Sequence, residues 1–143
     1  MNVISHVGSG FPLGLLTGVN NSGTALTFFG NRPNQLCSGN LSHHTVQEFF
    51  NTACFVDPPP GMLGDAYRTP LYGPNFVNFD ASLFKTFTIR ESDQLEFRTE
   101  VFNVLNHPQL ANPGTTTDSP GFGQITQIVN NPRLIQFALK FLF

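Results

Sequence analysis

Phe76-Val77-Asn78-Phe79-Asp80-Ala81-Ser82-Leu83-Phe84-Lys85-Thr86-Phe87-Thr88-Ile89 is the stretch whose reading decides the fold. Val77, Phe79, Ala81, Leu83, Phe87 and Ile89 share one set of alternate positions, and Lys85 is the only polar member of that set. The other set is mostly polar: Asn78, Asp80, Ser82, Thr86 and Thr88, with Phe76 and Phe84 as exceptions. A repeat of two puts the sets on opposite faces of a β-strand. Fully extended, such a strand reaches about 46 Å at roughly 3.3 Å per residue. Strands of globular proteins usually stop after roughly five or six residues.

Working outward, Arg90-Glu91-Ser92-Asp93 reads as a short polar turn. The alternation resumes over 94–105, with Leu95, Phe97, Thr99 and Val101 on one face and Gln94, Glu96, Arg98 and Glu100 on the other. Two alternating runs around a tight turn predict a β-hairpin. A Gly/Pro/Asn/Thr-rich loop follows from Asn106 to Pro120, then a short strand over Phe122–Val129. The last strand, 134–143, sets Ile135, Phe137, Leu139, Phe141 and Phe143 against Gln136, Ala138, Lys140 and Leu142. Upstream, residues 1–19 open with a strand-like segment (Val3, Ile4, Val7). Residues 20–75 are expected to be a long irregular loop with one short helical turn at Thr45–Phe50. Unstructured connections beyond about 12–15 residues are uncommon in compact soluble domains.

Composition points the same way. Charged residues are 11% of the chain, against about 25% in ordinary globular proteins. Phe occurs 16 times and Trp not at all. A net charge of −2 gives no basic footprint for nucleic acid. No run of apolar residues is long enough for a transmembrane helix, but a transmembrane β-strand needs only about 9–11 residues, apolar at every second position. Three features favour the membrane over a half-buried soluble sheet. The first strand is very long. A four-residue turn alternates with a long loop, as periplasmic turns and extracellular loops do. Full charges (Asp80, Glu96, Arg98, Glu100) sit on one face only, as a watery lumen permits. The apolar face would then meet lipid, with Lys85 near the turn snorkelling to the interface. Phe87, Phe141 and Phe143 would join an aromatic girdle there. The fold expected is all-β: an antiparallel transmembrane β-barrel fragment with long extracellular loops.

The ordered motifs resemble those of Oar-like TonB-dependent receptors and transporters. Asn78, Asp80 and Ser82-Leu83-Phe84-Lys85 are similar to that family's NxDxSLFK strand. Leu95 to Pro108 is similar to LxFRxExFNxxNHP. Phe122-Gly123-Gln124-Ile125-Thr126 and Arg133 to Lys140 resemble the FGxIT and RxIQxALK close, and Phe50 to Phe55 resembles FNTAAF, with Cys54 departing from it. The resemblance implies a barrel of about 22 strands, of which this chain would be the C-terminal part, with signal peptide, plug and TonB box absent from it. The N-terminus, MNVISHVGSGFPLGLLTG, lacks the basic start of a signal peptide. The implied function is energy-coupled ligand uptake at the Gram-negative outer membrane. The implied partners are the remaining strands and plug, membrane lipid, the barrel-assembly machinery, and TonB through the missing part. Leu139, Phe141 and Phe143 would also carry the assembly signal.

Catalysis, cofactors and metals are not expected. Glu96 and Glu100 lie about 13 Å apart along a strand, outside the roughly 5–9.5 Å of glycosidase pairs. His43-His44 with Cys37 and Cys54 match no zinc spacing, and His107 has no visible acid or nucleophile partner. Cys37 and Cys54 are either a disulfide, if the chain is exported, or two free thiols. Two alternative functions stay open: an adhesion or structural outer-membrane barrel without transport, and a secreted soluble β-sandwich.

Overall fold

The computed structural model describes residues 1–23, 31–91 and 93–143. Residues 24–30 of the expected long loop, and Ser92 of the expected turn, lie outside the described residues. In chain order the elements are β1 (Asn2–Gly8), β2 (Pro12–Leu13), β3 (Asn34–Gln35), a 3-10 helix (Thr52–Cys54), β4 (Phe55–Val56), β5 (Leu71–Tyr72), β6 (Phe76–Thr88), β7 (Gln94–Phe102) and β8 (Leu134–Leu142). Among the described residues the structure is all-β apart from that one short turn of helix. No helix among the described residues is long and apolar enough to cross a membrane. The chain divides into two units: residues 1–8, 75–109 and 128–143, and residues 9–74 and 110–127.

The first unit is a four-stranded antiparallel sheet in the order β1-β6-β7-β8. Its register stacks the alternation of each strand onto that of its neighbour. Val3, Ala81, Val101 and Ile135 form one cross-strand row. Leu83-Thr99-Phe137, Lys85-Phe97-Leu139 and Phe87-Leu95-Phe141 form the next three. A slip of one residue would turn every apolar side chain onto the charged face, so the pattern itself fixes the register. The β6–β7 turn closes with the Ile89 N–H donating to the Asp93 carbonyl (2.9 Å).

β6 ends at Thr88, one residue short of the alternating run. β7 ends at Phe102, not at residue 105, because Asn103 takes a left-handed conformation (φ 51°). Asn tolerates that region better than other non-glycine residues. The connections 9–75 and 103–133 both leave the sheet from the end opposite the 90–93 turn, since Gly8 pairs with Phe76 and Phe102 with Leu134.

The second unit replaces the expected irregular loop with a packed core. Leu13, Leu15, Phe49, Phe50, Cys54, Phe55, Leu71 and Ile125 are buried together. Phe50 is 1% exposed and meets Phe55 and Phe122 edge-on, with ring centres 5.9 and 5.2 Å away. Burying one such side chain contributes roughly 1.5–3 kcal/mol. Short antiparallel pairs, β2 with β5 and β3 with β4, frame the core. Cys37 and Cys54 are joined by a disulfide, with Cα atoms 4.9 Å apart. Closing a loop of that size stabilises by roughly 3 kcal/mol through loss of chain entropy in the unfolded state. Gly39 adopts φ +74°, and a Cβ there would meet the Phe55 ring at 2.6 Å.

Two expectations fail in this unit. Thr45–Phe50 is not helical: the Thr45 hydroxyl accepts the Glu48 N–H (2.9 Å), a local turn that competes with helix. Phe122–Val129 is not a strand: Phe122 makes only an isolated bridge with Gly114, and Gly123 (φ 76°) turns the chain away.

Candidate functional site

The sheet presents two chemically different faces, and these are its functional surfaces. On the apolar face Val3, Val7, Leu83, Phe87, Ile135, Phe137, Leu139 and Phe141 are each at least half exposed. Phe97 and Phe137 stack at 6.1 Å across β7 and β8, and Phe141 and Phe143 stack at 6.0 Å at the end of β8. Lys85 lies among them with its ammonium 5.7 Å from the Phe87 ring centre. That ring face offsets part of the charge. Among the described residues of the sheet unit, none covers this surface. Water is a poor neighbour for so much contiguous apolar area, and patches of that kind mark an interaction surface.

The opposite face carries the charges. Arg98 sits between Glu96 (3.2 Å) and Glu100 (3.8 Å), two residues to either side along β7. Lys140 pairs in register with Glu96, and Gln136 with Glu100. Arg98 therefore bridges two carboxylates on one strand, and exposure keeps each ion pair to about 0–1 kcal/mol. Glu96, Arg98 and Glu100 form one group. Asp80, on the same face of β6, does not join it. Its Oδ1 instead accepts from the Asn103 backbone N–H (2.8 Å) and from Asn78 Nδ2 (3.0 Å).

That contact opens a polar node which sequence reasoning missed. Asn103 is 4% exposed; its Oδ1 accepts the His107 N–H (3.0 Å), and its Nδ2 donates to the carbonyls of His107 (3.2 Å) and Asn131 (3.1 Å). Gln109 is 1% exposed; its Oε1 accepts the Val77 N–H (2.8 Å), its Nε2 donates to the Val77 carbonyl, and its backbone N–H donates to Asn130 Oδ1 (2.8 Å). Asn106 Oδ1 accepts the Arg133 N–H (3.0 Å). These carboxamides satisfy backbone groups where the strands end. An unsatisfied buried polar group costs about 1–3 kcal/mol. The available signal was the asparagine-rich Phe102 to Pro108 segment, whose spacing is legible but whose bonding is not.

In the second unit Thr117 donates to Asp57 Oδ1 (2.7 Å). The neighbouring Asp118 carboxyl is held above its ordinary range, first by desolvation, then by the charge of Asp57 and a hydrogen bond with it. A hydrogen bond from the Gly18 backbone pulls the other way. Among the described residues no group of three His, Cys, Asp or Glu side chains is placed to hold a metal ion.

Comparison with known families gives one match: the model described as "Outer membrane beta barrel domain" covers residues 1–136. Comparison with curated proteins and with solved structures gave no match.

Proposed function

We propose, for a chain that belongs to the outer membrane beta barrel domain family, that its four-stranded sheet is a section of the wall of a TonB-dependent transporter taking up a ligand with energy from TonB. The family gives the outer membrane as the location, so the soluble β-sandwich alternative falls away. The observation that carries the barrel wall is the pair of faces. One is a run of exposed apolar rows suited to hydrocarbon. The other holds Glu96, Arg98, Glu100 and Lys140, suited to a water-filled or plugged lumen. Ile135, Phe137, Leu139, Phe141 and Phe143 face lipid in this reading.

Four strands leave two open edges, the outer sides of β1 and β8. In hydrocarbon every unpaired backbone N–H and C=O costs several kcal/mol, so both edges require further strands. The remaining strands and the plug of a longer protein meet that need. The long connections at one end and the 90–93 turn at the other suit extracellular loops and a periplasmic turn. The disulfide suits an oxidising surface location. Transport, in preference to a purely adhesive barrel, rests on the ordered motifs shared with Oar-like receptors. The role is passage and binding, not catalysis.

The test is uptake in cells carrying the protein, with and without functional TonB. Ligand accumulation that collapses when TonB is deleted supports transport. Normal membrane insertion with no TonB-dependent accumulation of any medium component assigns the protein to adhesion or scaffolding.

A further inference from the structure

The charged face of the sheet carries a concavity at the end opposite the tight turn, of about 450 Å³, lined by Asn78, Asp80, Phe102, Asn131, Leu134 and Gln136 among others. That volume falls within the roughly 300–1,000 Å³ of small-molecule sites, and the concavity is an open groove, not an enclosed pocket. All of its lining belongs to the sheet unit. Its chemistry is narrow. No lysine or arginine lines it and Asp80 does, so its electrostatics disfavour a phosphate, a carboxylate or an anionic metal chelate. The single acid, Asp80, already receives two N–H donors on Oδ1.

What remains is a set of carboxamides beside apolar surface. The side chains of Gln136 and Asn131 make no hydrogen bond among the described residues, and both are exposed. Each carboxamide offers two donors and one acceptor, the complement of vicinal hydroxyls. Phe102, 40% exposed, and Leu134, 53% exposed, offer apolar surface for the C–H face of a ring. We propose that this cavity binds a neutral, hydroxyl-rich ligand, an uncharged oligosaccharide, through Gln136, Asn131 and the Phe102 ring.

As the class of ligand taken up, an oligosaccharide rests on the transporter reading. As a binding site it stands on the cavity alone. The two are separated by measuring binding first, without TonB. The full chain, refolded in detergent micelles, is titrated with maltotetraose, cellotetraose and mannotetraose. Tetragalacturonate and tetraalanine serve as anionic and peptide comparators. Saturation-transfer NMR reads which ligand protons touch protein.

At least one neutral tetrasaccharide binds with a Kd of about 1 mM or tighter, with transfer strongest on its C–H protons. Gln136→Leu with Asn131→Leu weakens it at least about tenfold, and Thr86→Ala, on the same face outside the cavity, leaves it unchanged. Phe102→Leu provides a second reading should the double variant not refold, and it reduces the transfer. No binding by any neutral tetrasaccharide, tighter binding of tetragalacturonate or tetraalanine, or binding indifferent to these variants overturns the proposal. Binding without TonB-dependent uptake of the same sugar leaves the site standing and removes that sugar as the ligand transported.

Discussion

The two units of this chain treat apolar side chains in opposite ways. Every buried apolar residue among the described residues belongs to the second unit, where Phe50 and Leu15 are 1% exposed. The sheet unit buries none: Phe137 and Leu139 are both 67% exposed. The second unit folds as a water-soluble protein does, hiding its phenylalanines from solvent and closing a disulfide over them. The sheet unit arranges its phenylalanines as though solvent were absent from that side. One sequence thus encodes two opposite treatments of its apolar side chains. Its scarcity of charge comes with an exposed apolar face on the sheet and with loop residues stabilised by their own core.

The largest effect that should separate the units is in the second one. Phe50→Ala should cost about 3–5 kcal/mol through the cavity it leaves. Limited proteolysis should then cut within residues 31–74 while the amide-exchange protection of β6 and β7 persists. Loss of protection in both units together would show that they fold as one.

Next comes the apolar face. Phe137→Arg, at mid-strand, should destabilise the vesicle-inserted protein by about 2–4 kcal/mol, as a charge facing lipid does. Ala138→Arg, one residue on and facing the other way, should stay within about 0.5 kcal/mol. Denaturant titration of the barrel with its remaining strands, refolded in lipid vesicles, compares them, and equal costs would erase the distinction between the faces.

Asn103→Ala should cost about 1–3 kcal/mol by stranding the His107 N–H and the Asn131 carbonyl. Exchange protection at the β7 end of the sheet should drop, with the 90–93 turn unaffected.

The smallest effect is the pH dependence of the second unit. The Asp118 carboxyl is held above its unfolded value. Its contribution is therefore present below the unfolded pKa and is lost as pH rises through the folded one. Thermal melts of the second unit should fall slightly with rising pH over that window, and Asp118→Asn should flatten the slope. A slope that survives the substitution would assign it to other groups.

The sequence is legible where geometry repeats and opaque where it does not. β6, β7 and β8 follow from alternation because the side-chain period of a strand is two, whatever the partners. The ends are less legible. β7 stops at Phe102 because of how Asn103 turns and bonds, which no periodicity records. The second unit is the least legible: Leu13, Phe50, Leu71 and Ile125 come together from segments with no period, so only tertiary packing defines that core. Of the charged face, alternation located Glu96, Arg98 and Glu100, but the strand-end role of Asp80 depends on Asn103 curling back to it. The family match reaches the barrel, and the step from barrel to transporter rests on motifs whose structural work here is done by carboxamides.

The central claim is that one face of the sheet meets lipid and the other water. The most direct measurement is a spin-label scan of residues 134–142 in the barrel that carries the remaining strands, reconstituted into lipid vesicles, reading collision with oxygen against collision with a water-soluble nickel complex. Oxygen accessibility should peak at Ile135, Phe137, Leu139 and Phe141, and nickel accessibility at Gln136, Ala138 and Lys140. A flat profile, or one with the two phases exchanged, would contradict the two-solvent account.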